Sequence, residues 1–535
     1  MRGFQEKVSQ ILEKIIKKDY SLSLEHPLWE LPQKPDFGDL SSMVALKLAS
    51  HLKKDPLEIA AKIKVSLEEE LSKDIDRIEI LRPGFINIFI SPKTLIHSLN
   101  KVLKDKDKFF RSQIKQKVLI EFLSANPTGP LSVAHGRQAV VGDAIANVLE
   151  FFGNDVKREY YLNDEGRQIE LLIDSVLARI EEKKGNKFSM PEGGYMGPYI
   201  ADTASNLMLS EEALDNRKKI RNFILKEQLS NIKKDLHALG IKFDNWFSQK
   251  KLISGKKVDS VIDVLKKKGL IYDKDEALWF ASTKFGDDKD RVIKKADGEL
   301  TYFASDIAYH KDKIDRKYNR LINLWGPDHH GYIKRVKSAI KALKHDQDIL
   351  KIIIIQLVTL KTKERMSKRA GTMILLSDLI KDVGSDATRF YYLTRRNSSL
   401  LEFDIDLAKE ASFNNPLYYI QYVCARIESI FRKAKKTSFK INFSKFLKDP
   451  EELILLRALL RFSYCLEKAY YSQEPVFIIE FLKDLAASFH KFYEKKRVLD
   501  DDKKISQARI NLVSAVRIVF HCGLNLLGIK PAERM

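Results

Sequence analysis

The side chains best suited to chemistry crowd one short run, Ser124-Ala-Asn126-Pro-Thr128-Gly-Pro-Leu-Ser132-Val-Ala134-His135. Pro127, Gly129 and Pro130 keep its first half out of both helix and central strand, so it reads as a loop. What must position that loop is legible on either side. Before it, Lys117-Val-Leu-Ile-Glu-Phe-Leu is apolar and partly β-branched, as a buried strand is. After it, Val133, Val140, Val141, Ala144, Ile145, Val148, Leu149 and Phe152 recur at helical spacing. Ser132 takes the N-cap position of that helix and Gly153 the C′ position. Asp155 to Leu162 reads as the next strand. A helix N-terminus offers unpaired N–H groups and the positive end of its dipole to a phosphate. In an open parallel sheet, ligands sit beyond the carboxyl ends of the strands. His135 is then placed to meet a phosphate oxygen, although a lone histidine there is more often a packed first-turn residue. The functional reading needs a second motif.

That motif is Lys363-Glu-Arg365-Met366-Ser367-Lys368-Arg369-Ala-Gly-Thr372, which follows the apolar run Leu350 to Leu360, read as another buried strand. A basic, hydroxyl-bearing loop after a strand can bring positive charge to a polyphosphate leaving group. Alone it would be a solvated loop. In this order the two loops resemble the paired signatures of class I aminoacyl-tRNA synthetases, His-x-Gly-His and Lys-Met-Ser-Lys-Ser.

Composition sets outer limits. A chain of 535 residues exceeds what a single core supports, so several domains are expected. Hydrophobic residues at 44% and charged residues at 31% suit a soluble enzyme. The amino terminus lacks a signal-peptide apolar stretch and no run approaches a membrane span. Cys424, Cys465 and Cys522 lie far apart, against a zinc knuckle or a disulfide framework and in keeping with a reducing cytoplasm. The charge balance, 94 − 73 = +21, permits a polyanionic partner such as RNA without requiring one.

Residues 1–108 read as a separate α/β unit. It has helices over Phe4–Ile16 and Leu40–Leu52, a helix opened by Asp55-Pro56, and two strands across Pro83-Gly84. Phe85, Asn87 and Phe89 alternate onto one strand face, which can pack on helices or stack on an unpaired base. A charged helical insertion occupies about 165–250. Tyr302 and Asp306 share a face in the first turn of a helix, and the strand Leu321–Trp325 ends in Gly326-Pro-Asp328-His329-His330-Gly331. From about residue 406 helical spacing dominates, in Tyr418–Arg426, Leu453–Tyr470, Phe477–Glu494 and Ile505–Leu527.

Five stretches carry a closer likeness: Glu121-Phe-Leu-Ser-Ala-Asn-Pro-Thr-Gly-Pro-Leu, Gly326-Pro-Asp-His-His-Gly-Tyr, Arg365-Met-Ser-Lys-Arg-Ala-Gly-Thr, Asn415-Pro-Leu-Tyr-Tyr-Ile-Gln-Tyr and Pro531-Ala-Glu-Arg-Met535. With them the chain resembles the bacterial type of arginyl-tRNA synthetase over nearly its full length. The resemblance implies an α/β fold: a Rossmann-type parallel-sheet catalytic domain over 109–405, an α/β N-terminal additional domain over 1–108, and an all-α C-terminal anticodon-binding bundle over 406–535. It implies activation of L-arginine with ATP to arginyl-adenylate, then transfer to the terminal adenosine of tRNA(Arg), with activation needing bound tRNA. Mg2+ would accompany ATP, no structural zinc is expected, and the protein would be a cytoplasmic monomer with no membrane contact.

Carried over residue by residue, Ser124 and Asn126 would hold the amino and carboxylate groups of arginine, and Glu121, Tyr302 and Asp306 its guanidinium. Ser132, His135 and Lys368 would be catalytic, with His135 and Lys368 stabilising the α-phosphate and departing pyrophosphate. Thr128, Ala134, Asp328, His329, Met366 and Ser367 would line the ATP site. Phe85 and Asn87 would meet the tRNA elbow, and Tyr418, Gln421 and Tyr422 the anticodon side. Three positions depart from the signatures: Ser132 replaces the first histidine, Ala134 the glycine, and Arg365 the first lysine. Rearranged ATP contacts are therefore expected. The competing readings are a catalytically silent tRNA-binding paralogue and an amino-acid ligase with a small acceptor, which leaves the basic bundle unexplained.

Overall fold

A computed structural model of the protein describes residues 2–24, 28–32, 35–210, 216–361, 374–434 and 441–535. The chain divides into two compact units, Ser112–Glu410 with Leu527–Ile529, and Met1–Arg111 with Ala411–Leu526 and Lys530–Met535. In the first, five strands form one parallel sheet: β1 (Lys117–Glu121), β2 (Asp155–Leu162), β3 (Asn245–Ser248), β4 (Arg320–Trp325) and β5 (Leu350–Ile354). Their order is β5-β4-β1-β2-β3, the doubly wound arrangement, and the winding reverses between β1 and β4.

Helix α1 (Val133–Phe151) follows the loop after β1 and is buried around most of its circumference. Gly142 makes this packing possible, because a Cβ there would stand 2.2 Å from the Phe122 ring. Between β2 and β3 lie α2 (Arg167–Lys183), α3 (Pro198–Met208) and α4 (Arg217–Ala238), joined by an apolar core that includes Ile169, Leu172, Ile173, Ile200, Leu207 and Ile224. They occupy much of the stretch of about 165–250 read from the sequence as a helical insertion, but its end, Asn245–Ser248, is a strand of the main sheet. Helix α5 (Tyr302–Asp315) starts at Thr301, whose hydroxyl accepts from the Ala304 N–H, as the N-cap spacing requires.

Sheet register puts polar residues in a row. Asn245 pairs with Glu159, Glu159 with Glu121, and Glu121 with Asn323, so four strands present polar side chains at one level of the sheet, the level at which β1 ends and β3 begins. In the same unit, Arg389 donates to the carbonyls of Leu527 and Leu239 and to Asp143 Oδ2.

The second unit has a three-stranded antiparallel sheet, with Phe85–Ile90 between Leu40–Ser42 and Ile75–Leu81. It also contains helices Pro416–Lys433, Pro450–Leu460, Phe462–Ser472, Val476–Lys495 and Lys503–Leu526. Among the described residues no helix is long and apolar enough to cross a membrane.

Three elements differ from the sequence reading. Leu40–Ser42 is a strand, and the helix starts only at Val44, because Ser41 is drawn into the sheet by its hydroxyl bond to Asn87 Oδ1 at 2.7 Å. The apolar run from Leu350 is two strands, Leu350–Ile354 in the main sheet and Val358–Lys361 in another. The break is fixed from afar: the fully buried Arg137 donates to the carbonyls of Gln356 at 2.8 Å and Leu357 at 3.3 Å, and to those of Arg396 and Ser399. The stretch Leu453–Tyr470 is split into two helices at Arg461.

Candidate active site

The loop after β1 begins with two consecutive non-glycine residues in the left-handed region, Leu123 at φ +69° and Ser124 at φ +43°. Such backbone costs energy and persists only where surrounding contacts impose it. Here it turns the Ser124 hydroxyl toward the strand ends, where it donates to Glu121 Oε1 at 3.1 Å and accepts from the Tyr161 N–H at 3.0 Å. Asn126 is exposed and donates to Gln168 Oε1 at 2.6 Å. The Thr128 carbonyl accepts the Tyr199 hydroxyl at 2.9 Å.

Ser132 and His135 close the first turn of α1 as a capping box. The Ser132 N–H donates to His135 Nδ1 at 3.1 Å, which makes Nδ1 an acceptor and places the ring proton on Nε2. Burial lowers the pKa of this imidazole, so it is a neutral ring with an Nε2–H donor. The backbone at position 132 thus fixes the tautomer of His135, while the serine hydroxyl supplies the cap. Ala134 is exposed in the same turn.

The anionic part of the site lies between β1, β2, β4 and α5. Asp306 remains partly accessible, and among the described residues its carboxylate has one hydrogen-bond donor, the Tyr332 hydroxyl at 2.7 Å. Burial pushes its pKa up to about 7; Tyr332 and Lys313 oppose the rise, and the Glu121 charge adds to it. Glu121 and Asp306 therefore face a common region, but they are not equivalent. Glu121 Oε2 is bound by Lys313 Nζ at 2.5 Å, and Lys313 is wholly buried. Asn323 Oδ1 accepts from the same ammonium at 2.9 Å, and Asn323 Nδ2 meets His310 Nε2 at 3.1 Å. His310 Nδ1–H then donates to the Asp306 carbonyl at 2.8 Å, and burial drops the ring to about 3, so it stays neutral. Tyr161 borders both carboxylates: its hydroxyl is pushed up by burial and then by the charges of Asp306, Glu121 and Asp164.

Tyr302, expected to flank the guanidinium, is 63% exposed. The less exposed aromatic walls are the buried Tyr309 and the half-buried Tyr161 and Tyr332. Tyr332 closes the quoted Gly326–Tyr332 motif but drew no role from it. Lys313 was missed too, although it falls on the Asp306 face of α5 at i+7. Glu159 and Asn245 left no local signal at all.

Asp328 and His329 are exposed in the 3₁₀ turn after β4, with His329 Nε2 3.5 Å from Asp328 Oδ2. Leu131–Val133 pairs with Ile374–Leu376: Leu376 N–H donates to Leu131 O at 2.8 Å and Val133 N–H to Ile374 O at 3.2 Å. Gly136 allows this closeness, since a Cβ there would lie 2.6 Å from Leu376 Cδ1. The expected loop residues Met366, Ser367 and Lys368 lie outside the described residues. Beside β2, a groove of about 730 Å³ is lined by Asn222, Lys226, Lys233, Lys234 and His237 of α4 and reaches Leu162 and Asp164.

In the other unit, Asn87 is 2% exposed and its Oδ1 is taken by Ser41, while Phe85 is half-buried. Both line a cavity of about 990 Å³ with Arg82, Arg457, Arg461 and Lys468. Tyr418 and Tyr422 belong to an aromatic cluster with Phe413 and His490. Gln421 does not join them: its amide bonds Lys530 O and the Ala532 N–H, each at 2.8 Å, and so holds the terminal tail.

Three family models match in succession: the arginyl tRNA synthetase N terminal domain over residues 3–90, the tRNA synthetases class I (R) catalytic domain over 98–400, and the DALR anticodon binding domain over 420–535. An arginine–tRNA ligase of Thermotoga maritima is 41% identical over 99% of both chains. That of Aquifex aeolicus is 40% identical over 99% of this chain and all of its own. The solved structure of Thermus thermophilus arginyl-tRNA synthetase, 20% identical, shares the fold with a TM-score of 0.79 over 99% of this chain.

Proposed function

The chain belongs to the arginyl-tRNA synthetase family, and from that premise we propose how its own residues carry the reaction. It is a class I ligase that uses ATP as a substrate to join arginine to tRNA(Arg). In the first step a carboxylate oxygen of arginine bonds to the α-phosphorus of ATP while the bridging P–O bond breaks and pyrophosphate leaves. In the second, a ribose hydroxyl of the terminal adenosine attacks the carbonyl carbon and AMP departs.

Asp306 receives the guanidinium, with Tyr332 orienting the carboxylate and Glu121 behind it. The observation that carries this is a carboxylate with a single hydrogen-bond donor, near the crevice where the sheet winding reverses. A planar cation with a fork of donors supplies the partners such a group lacks. Ser124 and Asn126 hold the amino and carboxylate end at the loop. His135 donates Nε2–H to the α-phosphate, and its neutrality supports a donor role that does not change with protonation near neutral pH. Thr128, Ala134, Asp328 and His329 line the adenosine side. Lys368, with Met366 and Ser367, draws off pyrophosphate; it precedes Ile374, whose carbonyl is tied to the first turn of α1.

Activation waits for bound tRNA, and Mg2+ enters as the counter-ion of ATP. Among the described residues no group of three or more His, Cys, Asp or Glu side chains could hold a metal. Domains over 1–108, 109–405 and 406–535 divide the work. Phe85 and Asn87 sit beside the basic lining of their cavity, which suits the tRNA elbow. Tyr418 and Tyr422 offer rings to unpaired bases on the anticodon side. The protein works as a cytoplasmic monomer in this account. The catalytically silent alternative gains no support from Ser132, which caps α1 and fixes His135.

The test is arginine-dependent ATP–pyrophosphate exchange with and without tRNA(Arg). Exchange that appears only with tRNA is the expected result; none in either condition would remove the enzyme reading, and exchange without tRNA would remove the dependence.

A further inference from the structure

Three ionic groups meet at the carboxyl end of β1: Glu121, Lys313 and Asp306. Lys313 extends from α5, two turns beyond Asp306, and has no exposed side-chain surface. Its ammonium is fully engaged, by Glu121 Oε2 at 2.5 Å, Asn323 Oδ1 at 2.9 Å and the Tyr309 ring at 4.2 Å. No N–H is left to meet a substrate. Through Asn323 and His310 the same lysine is linked to the Asp306 carbonyl, so it braces both acidic positions.

We infer that Lys313 is a positioning residue that sets the charge of the arginine pocket: by matching Glu121 it leaves Asp306 as the unmatched carboxylate of that pair, suited to a side chain with a single positive charge. This rests on the arginine reading of the pocket. Two carboxylates with no cation between them would resist ionising together, and the pocket would hold a proton in place of substrate. With Lys313 present, Glu121 Oε2 is taken by the ammonium, and Asp306 is the carboxylate left for the guanidinium.

The other groups around Asp306 are accounted for. Tyr332 donates to it, and Tyr332 itself lies near Arg291 and Arg335. Tyr161 on β2 sits among Asp306, Glu121, Asp164 and Tyr302. His310 on the same helix is neutral. Beyond Tyr309, Glu159 is matched by Arg316 at 2.6 Å. Glu121 and Lys313 are the charges that act on Asp306 itself.

The experiment compares Glu121→Gln, Lys313→Met and the double variant in the full chain. The readout is kcat/KM for arginine against pH, with tRNA(Arg) and saturating ATP. Lys313→Met should move the midpoint upward by about one pH unit or more, with KM for ATP changed less than about threefold. Glu121→Gln, which strands the lysine and makes the pocket neutral, should lower kcat/KM about 10²-fold above the wild-type midpoint and move that midpoint downward. The double variant again carries one carboxylate, so its midpoint should return to the wild-type position and its kcat/KM recover at least about tenfold over Glu121→Gln.

An unmoved midpoint in Lys313→Met, or a double variant no better than Glu121→Gln, would overturn the inference. If Lys313→Met does not fold, the recovery in the double variant decides. If neither lysine variant folds, Glu121→Gln decides: a loss with a lowered midpoint supports the inference, and an unmoved midpoint refutes it. Failure of the underlying reading looks different, because the unmodified protein would then show no arginine dependence at all.

Discussion

Glu159 and Asp306 are carboxylates of the same unit, held near the same end of the same sheet, and their environments are opposite. Glu159 is sealed from solvent and fully bonded: Arg316 donates to it twice, at 2.6 and 2.9 Å, Tyr309 at 2.8 Å and Asn245 at 2.6 Å. Burial alone would raise its pKa, but these bonds and the charges of Lys313 and Arg316 outweigh that and hold it below the ordinary carboxylate range. Asp306 has one hydroxyl donor and sits at about 7. A carboxylate whose partners all come from the protein is part of the scaffold. One left short of partners in a place a ligand can reach is a binding group.

The largest effect expected from this contrast is on Asp306. Asp306→Ala should raise KM for arginine by about 10²–10³-fold, as loss of a desolvated charge pair does, while KM for ATP moves far less. Steady-state kinetics with each substrate varied in turn checks this, and equal effects on both would place the guanidinium elsewhere. Glu159→Gln should do the reverse, lowering stability by about 2 kcal/mol as charged hydrogen bonds are lost, with KM for arginine nearly unchanged. A denaturant titration read beside the kinetics separates the two outcomes.

Acid dependence should diverge in sign. Glu159, with its pKa depressed in the folded state, contributes stability that is present above its unfolded pKa of about 4.3 and lost as pH falls through the folded value. For Asp306 the folded pKa is raised, so ionising it costs stability progressively as pH climbs from about 4 toward 7. Arginine needs the ionised form, and kcat/KM for arginine should therefore rise with pH through about 7. A profile flat across that interval would show that Asp306 does not titrate in the binding step. The smallest change should come from Tyr302→Phe, less than about threefold in KM for arginine, because the ring stands mostly in solvent.

The same contrast separates what was legible in the sequence from what was not. The loop and first turn of α1 could be read in advance, because Pro127, Pro130, Ser132 and Gly153 act on their own neighbours. Asp306 was legible for the same reason, on one face of the opening turn of a helix. Glu159 and Asn245 were not, since only strand register places them beside Glu121. Register joins residues far apart in the chain and writes no local pattern. The break after Ile354 was hidden likewise, because it depends on a guanidinium more than 200 positions away, with |i−j| of 219. Ser132 was legible as the cap of that turn, whereas the bond from its backbone N–H that sets the proton of His135 was not.

Proton exchange on arginine binding tests the central claim most directly. Calorimetric titration of arginine into the protein with tRNA(Arg), at pH 7 in buffers of different ionisation enthalpy, counts protons moved per arginine bound. If Asp306 is the open carboxylate, about half a proton should be released in the wild type and none in Asp306→Asn. Binding with no proton release in the wild type, or with the same release in the variant, would contradict the account.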